Sequence, residues 1–151
     1  MKKLFSVIVI SALYFAFSAG STIAQGKYGI VGKKFTKAEA HALFGKVIGT
    51  VRISRREMKE ALANAKDYVL IKVKNSRPYL LDERRSSIMP NVSLQLAPEE
   101  TAYVFSTSVV QDFVASSTAD TFTVEVRAEV VTLSDGSNIL EDSLPCPPSC
   151  E

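Results

Sequence analysis

The sequence opens with a lysine pair and an uncharged apolar run, and these features decide where a folded domain can begin. Lys2 and Lys3 precede the apolar residues 4–17, and small residues follow, among them Ala24. This order is typical of a secretory signal peptide, and the run is shorter than the roughly 20 apolar residues that span a bilayer. We therefore predict an exported protein, periplasmic or extracellular, that is cut between Ala24 and Gln25.

Two alternatives to this cleavage site stay open. The small residues Ala19 and Gly20 also suit a signal peptidase, so the cut can fall after either of them. An uncleaved N-terminal anchor helix is the second alternative. We predict no stable membrane span once the signal peptide has been removed.

Removal of the signal peptide changes the charge of the chain. The 18 Lys and Arg residues and the 16 Asp and Glu residues become balanced, because the signal holds two lysines and no acids. A near-neutral domain argues against general cationic binding to nucleic acids or membranes. Residues 25–85 nevertheless carry 15 basic against 6 acidic residues, and residues 86–151 carry 1 against 10. Such asymmetry can mark an interaction face, although two halves that pack as one domain would offset each other.

The mature chain has the length of a single domain, about 127 residues. We predict a signal peptide (1–24), an extended leader (25–34), one domain (35–144) and a C-terminal tail (145–151). No internal repeat is visible in the sequence.

Two capping boxes predict where the first two helices begin. In each, a hydroxyl residue is followed three positions later by glutamate: Thr36 by Glu39, and Ser54 by Glu57. The first helix should end near residue 44, and the second should cover residues 55 to about 66, where apolar residues follow helical spacing.

Alternation of apolar and polar residues predicts the strands. They cover residues 46–53, 68–74, 77–81, 92–96, 102–106, 122–130 and 139–140. A third, short helix should open at Ser108, and Asp135-Gly136 predicts a hairpin turn. The order predicts an α+β fold: a mainly antiparallel sheet of about five to six strands with two to three short helices on one face. An all-β fold is the alternative class.

The two cysteines, Cys146 and Cys150, are close together near the end of the chain. In an exported protein such a pair predicts a local disulfide that staples the C-terminal tail. Three residues separate them, two of them proline, which does not match a thioredoxin-type redox pair. Two thiols are also too few ligands for a zinc site.

No residue pattern predicts catalysis, cofactor binding or metal binding. His41 is the single imidazole, so we expect a structural or merely exposed role. Glu125 and Glu129 would share one face of the longest strand at about 13 Å, farther apart than the carboxylate pairs of glycosidases. Asn91 begins a glycosylation sequon, which matters only if the source is eukaryotic.

Basic residues around the second helix form the candidate site for an anion or a partner. The six residues are Arg52, Arg55, Arg56, Lys59, Arg84 and Arg85. A helix N-terminus adds free backbone N–H groups, so an acidic protein or an anionic polymer is the expected partner. Few aromatic residues are interleaved with these cations, which disfavours specific nucleic-acid binding. A merely solvated charged face is the simpler interpretation of the same residues.

Together these patterns favour an exported, non-enzymatic binding or interaction domain. It would act through the basic surface near the second helix or through an exposed sheet edge. The alternatives are a small secreted hydrolase that depends on carboxylates, and a structural or assembly component that pairs through sheet edges.

Overall fold

The computed structural model describes residues 27–147, in which three helices and nine strands form an α+β fold. The predicted signal peptide, its cleavage site and Cys150 lie outside the described residues. The helices are α1 (Lys37–Phe44), α2 (Arg55–Leu62) and α3 (Thr107–Ser116). The strands are β1 (Lys33–Thr36), β2 (Gly49–Ser54), β3 (Tyr68–Lys74), β4 (Arg77–Leu81), β5 (Ala102–Ser106), β6 (Thr121–Val126), β7 (Val131–Ser134), β8 (Asn138–Glu141) and β9 (Leu144–Cys146).

The strands form two antiparallel sheets. Sheet A has the order β1-β8-β7-β6-β2, and sheet B has the order β4-β3-β5-β9. The α+β class and the antiparallel pairing are thereby confirmed, but the described residues hold more strands than the five to six expected. The excess arises because three short segments that the sequence did not predict, β1, β7 and β9, also pair.

Both predicted capping boxes are present. The Thr36 hydroxyl accepts a hydrogen bond from the backbone N–H of Glu39, whose carboxylate accepts one from the backbone N–H of Thr36. Ser54 and Glu57 make the same reciprocal pair at the start of α2. The second helix ends at Leu62, earlier than the predicted boundary near residue 66.

The predicted strand over residues 122–130 is wrong beyond Val126. The backbone N–H of Arg127 donates to the carbonyl of Val130, which closes a turn before β7 begins at Val131. The Arg127 side chain is buried and donates to the Glu125 carboxylate and to the Gly45 carbonyl. Both contacts hold the turn, and the one with Gly45 joins distant parts of the chain, so it has no counterpart in the alternating pattern.

The predicted strand over residues 92–96 is also absent. Only Gln95 makes an isolated bridge, to Ser86. The backbone N–H of Leu96 instead donates to the carbonyl of Arg85. The segment therefore packs against the turn after β4 and joins neither sheet.

Two strand–helix–strand units exchange strands between the sheets. The unit β2-α2-β3 begins in sheet A and ends in sheet B, and the unit β5-α3-β6 runs from sheet B to sheet A. Strand β2 pairs with β6, and β3 pairs with β5. The same spacing separates equivalent strand starts, Gly49 from Ala102 and Tyr68 from Thr121. Each unit therefore contributes one strand to each sheet, and each of these strands pairs with a strand of the other unit.

The main core lies where both sheets meet α2 and α3. Its large side chains come from both sheets and both helices: Ile53, Met58, Val69, Ile71, Leu80, Phe105, Phe113, Phe122, Leu133 and Leu140. A smaller cluster includes Val31, Leu70, Leu96 and Val104. Residues 69–71 of β3 alternate between the two clusters, so this strand is buried on both faces.

Candidate binding surfaces

Arg55, the first residue of α2, is bound within the fold. Its guanidinium donates to three carbonyls, those of Val114 (2.9 Å), Ser117 (2.7 Å) and Ala119 (2.8 Å). The guanidinium also lies 5.6 Å from the ring centroid of Phe122. A cation at carbonyls of the last helical turn is favourable, so Arg55 caps the C-terminal end of α3.

Arg85 is likewise used internally. Its guanidinium donates to the carbonyls of Ala97, Glu100 and Cys146, and to the Cys146 Sγ. These contacts join the turn after β4 to β9 and to residues 97–100. The remaining four candidate residues, Arg52, Arg56, Lys59 and Arg84, are exposed.

A shallow groove of about 230 Å³ lies between α2 and α3. It is lined by Lys59, Leu62, Ala63, Gln111, Val114 and Ala115. Of the six basic candidates, only Lys59 lines this groove. The exposed Arg56 lies one turn from Glu60, at 3.9 Å between Nε and a carboxylate oxygen. The surface around α2 is therefore less basic than it would be if all six candidate residues converged on it.

The sequence did not predict β1, which is one of the two terminal strands of sheet A and pairs only with β8 among the described residues. Thr36 lies opposite Asn138 in this pair. The N–H of Thr36 donates to Glu39 at 2.8 Å, and the N–H of Asn138 donates to Asp135 at 2.7 Å. The two residues therefore form a non-hydrogen-bonded pair.

This register leaves the peptide groups of Lys34 facing outwards. Antiparallel pairs alternate between hydrogen-bonded and non-hydrogen-bonded, so Lys34 and Leu140, two positions along, are also a non-hydrogen-bonded pair. The N–H and C=O of Lys34 consequently point away from β8, towards the open edge of the sheet.

A groove of about 280 Å³ lies beside this edge, between β1 and α3. Its apolar part is formed by Val109, Phe113 and Leu140, and the exposed Lys34 and Asp112 lie at its margin. We call this surface the β1–α3 groove.

Gly32 allows the chain to pass close to α3 just before β1. Its φ of +111° lies outside the range that other residues readily adopt. A Cβ at this position would also approach Val109 Cγ1 to 3.1 Å. A side chain here would therefore strain the backbone and reduce the space beside the groove.

Two glutamates of sheet A are buried or half-buried. Glu125 accepts from Arg127 at 2.7 Å and from the Thr132 hydroxyl at 3.1 Å. Glu129 lies beyond the end of β6, so the carboxylate pair considered from the sequence does not share one strand. Glu141 is 1% exposed, and its Oε2 has no hydrogen-bond partner.

The remaining sequence candidates have simple placements. His41 is exposed on α1, as expected. Cys146 ends β9, opposite Ala102, whereas Cys150 lies outside the described residues, so the predicted disulfide stays a prediction. Within residues 27–147 no three His, Cys, Asp or Glu side chains are grouped so that they could hold a metal ion. No helix in the same range is long and apolar enough to cross a membrane.

The described residues form a two-sheet α+β domain in which the edge strand β1 lies beside an apolar groove. Comparisons with protein-family models, with curated proteins and with solved structures found no match for the chain. The function must therefore be argued from these surfaces.

Proposed function

We propose that the chain is an exported, non-enzymatic binding domain that captures an extended, acidic segment of a partner protein along β1. The observation that carries this proposal is the outward N–H and C=O of Lys34 beside the β1–α3 groove. An extended peptide can add to such an edge as a further strand, with alternate side chains entering the neighbouring groove.

Charge favours an acidic partner. Lys33 and Lys34 are both exposed on β1, and Lys37 is exposed at the start of α1. Acidic residues in the added strand would lie on the face of β1 that carries Lys33, and the apolar residues between them would lie on the opposite face, where they would reach Val109 and Phe113. A second copy of this chain would instead bring two lysine-bearing edges together, which like-charge repulsion disfavours.

A defined peptide tests this binding mode. The probe is a short synthetic peptide of alternating valine and glutamate residues, added to the isotope-labelled mature chain (residues 25–151). We expect amide chemical-shift changes at Lys34 and Val109. The same peptide with N-methyl groups on alternate residues cannot pair with the edge, so it should bind at least tenfold more weakly.

Variants of the chain separate this surface from the α2 surface. Lys34→Pro removes the outward N–H together with the side-chain ammonium, a substitution that the backbone of an edge strand tolerates, and should weaken peptide binding about tenfold. Arg56→Glu should leave binding nearly unchanged. Shift changes confined to α2, with binding lost in Arg56→Glu and retained in Lys34→Pro, would show that the β1 site is wrong.

Export is part of the same proposal and needs its own measurement. The full chain expressed in a bacterial host should yield a periplasmic protein whose intact mass corresponds to an N-terminus at Gln25. A mature chain that begins at residue 20 or 21 would instead indicate cleavage after Ala19 or Gly20. A full-length, membrane-bound product would support the uncleaved anchor instead.

A further inference from the structure

The exposed apolar side chains of the described residues are concentrated at one end of α1. Large hydrophobic residues are exposed at four positions, and three of them lie within six residues: Leu43 (65% exposed), Val47 (40%) and Ile48 (71%). The fourth, Ile30, is 68% exposed and lies before β1. We call Leu43, Val47 and Ile48 the apolar tip. Clustered exposure of this kind marks interaction surfaces more often than scattered single residues do.

The backbone of the apolar tip is held in place. Gly45, at φ +76°, ends α1, and its N–H donates to the carbonyl of His41 at 3.1 Å. The Gly45 carbonyl accepts from the buried Arg127 side chain. On the β2 side, the N–H of Ile48 donates to the carbonyl of Val126 at 2.8 Å. The side chains of Val47 and Ile48 are therefore presented to solvent from a fixed connection.

Lys46 lies between Leu43 and Val47 in the chain and is exposed, and two further exposed lysines lie on α1 or on its side of sheet A. Lys37 and Lys46 are exposed on α1 and in the connection that follows it. Lys33 Nζ lies 5.4 Å from the ring centroid of Phe35, and that ring packs edge-on against Phe44 at 5.2 Å. Lys33 is thus on the α1 side of sheet A. The acidic neighbour Glu39 is held in the capping box with Thr36.

We propose that the apolar tip docks this domain on an anionic lipid surface. Aliphatic side chains with an exposed lysine between them suit shallow insertion: the apolar groups enter the boundary between headgroups and acyl chains, and Lys46 contacts anionic headgroups. This surface lies on the opposite face of β1 from Lys34 and the β1–α3 groove, because successive side chains of a strand alternate between faces. Lys34 and the apolar side chains of the groove therefore belong to peptide capture alone, whereas Lys33 and Lys37 are available to both surfaces.

Vesicle flotation of the mature chain tests this proposal. The probes are vesicles of phosphatidylcholine alone and vesicles that also contain phosphatidylglycerol. We expect binding to the anionic vesicles, and we expect this binding to fall as salt is raised. Absence of binding to either vesicle, or equal and salt-insensitive binding to both, would overturn the proposal.

Matched variants locate the binding surface. Replacing Val47 and Ile48 together by serine should reduce vesicle binding about tenfold or more, because both side chains are already exposed and the fold loses little. Ile30→Ser removes an equally exposed side chain from another place and should have no effect. Lys46→Gln should weaken binding to anionic vesicles only.

Two further outcomes would contradict lipid docking. Equal losses in Ile30→Ser and in the double variant would show that general hydrophobicity drives vesicle binding. A dimer of the mature chain that dissociates in the double variant would make the apolar tip a protein interface. Val109→Glu, which places a charge in the β1–α3 groove, should leave vesicle binding by the folded variant intact even if it abolishes peptide capture.

Discussion

Glu141 places an ionisable group inside sheet A. Its Oε1 accepts from the Ser143 hydroxyl at 3.1 Å, whereas its Oε2 is buried without a partner. Burial, which penalises the charged form, raises the pKa of Glu141 from 4.5 to about 7. Tyr103 is affected by the same carboxyl group: burial raises the pKa of Tyr103, and the negative charges of Glu141 and Glu129 raise it further.

This carboxyl group should make stability depend on pH. The folded state retains the proton up to about pH 7, and the unfolded chain releases it near pH 4.5. The contribution of Glu141 to the free energy of unfolding should therefore be fully present below about pH 4.5. As pH rises towards 7, the free energy of unfolding should fall by about 2–3 kcal/mol. Glu141→Gln should flatten this slope and be more stable than the wild type at pH 8. Urea unfolding at pH 5 and pH 8 measures the difference.

The exposed Glu99 provides the control for loss of one negative charge. Glu99→Gln should leave the pH slope of the wild type unchanged. If Glu141→Gln showed the wild-type slope, or were less stable than the wild type at pH 8, the buried carboxyl group would not be the source of the pH dependence.

Neighbouring arginines at the start of α2 should differ sharply in their effect on stability. Arg55→Ala removes three hydrogen bonds to carbonyls at the end of α3 and should cost about 2–3 kcal/mol. The Arg56 side chain is 84% exposed and makes only a 3.9 Å contact with Glu60, so Arg56→Ala should cost less than about 0.5 kcal/mol. Thermal unfolding of both variants tests this contrast, and equal losses would argue against the cap on α3.

At the scale of elements, the reciprocal cap is a local source of stability for α2. The hydroxyl of Ser54 accepts from the N–H of Glu57, and the Glu57 carboxylate accepts from the N–H and hydroxyl of Ser54. Ser54→Ala should therefore destabilise the domain by about 1 kcal/mol in urea unfolding. Ser93, an exposed serine outside the helices, offers the control: Ser93→Ala should change stability by much less.

Elements set by neighbouring residues could be predicted from the sequence. The two capping boxes depend on side chains three positions apart, and the β7–β8 turn depends on Asp135 and Gly136, so short-range patterns locate them. Strand β1 could not be found in this way. It is only four residues long, and it is a strand because β8, about a hundred residues later, pairs with it.

The candidate binding residues show the same limit. Sequence proximity grouped Arg55 with Arg56, but the direction of each side chain depends on what packs beside it. Arg55 meets the end of α3, and Arg85 meets carbonyls near β9. That a basic side chain is exposed can be predicted from its residue type. That a basic side chain caps a distant helix cannot be predicted in this way, because backbone carbonyls carry no sequence signature.

At the scale of the whole molecule, exchange of strands joins the two halves of the chain. Strand β2 from the first half completes sheet A beside β6, and β5 from the second half completes sheet B beside β3. Neither half can build its sheets alone. The mature domain should consequently unfold in one cooperative transition, with far-ultraviolet circular dichroism and tyrosine fluorescence changing together.

Separate halves of the chain should therefore fold only when they meet. A cut between Asn91 and Val92 lies in the connection between β4 and β5 and gives fragments 25–91 and 92–151. The first carries 15 basic against 6 acidic residues and the second 1 against 10, so opposite charges favour their encounter. Each fragment alone should show little regular structure by circular dichroism, and mixing should restore the spectrum of the intact domain. Reconstitution should slow as salt screens the charges. A fragment that folds by itself, or a mixture whose spectrum equals the sum of its parts, would show that the exchanged strands do not hold the molecule together.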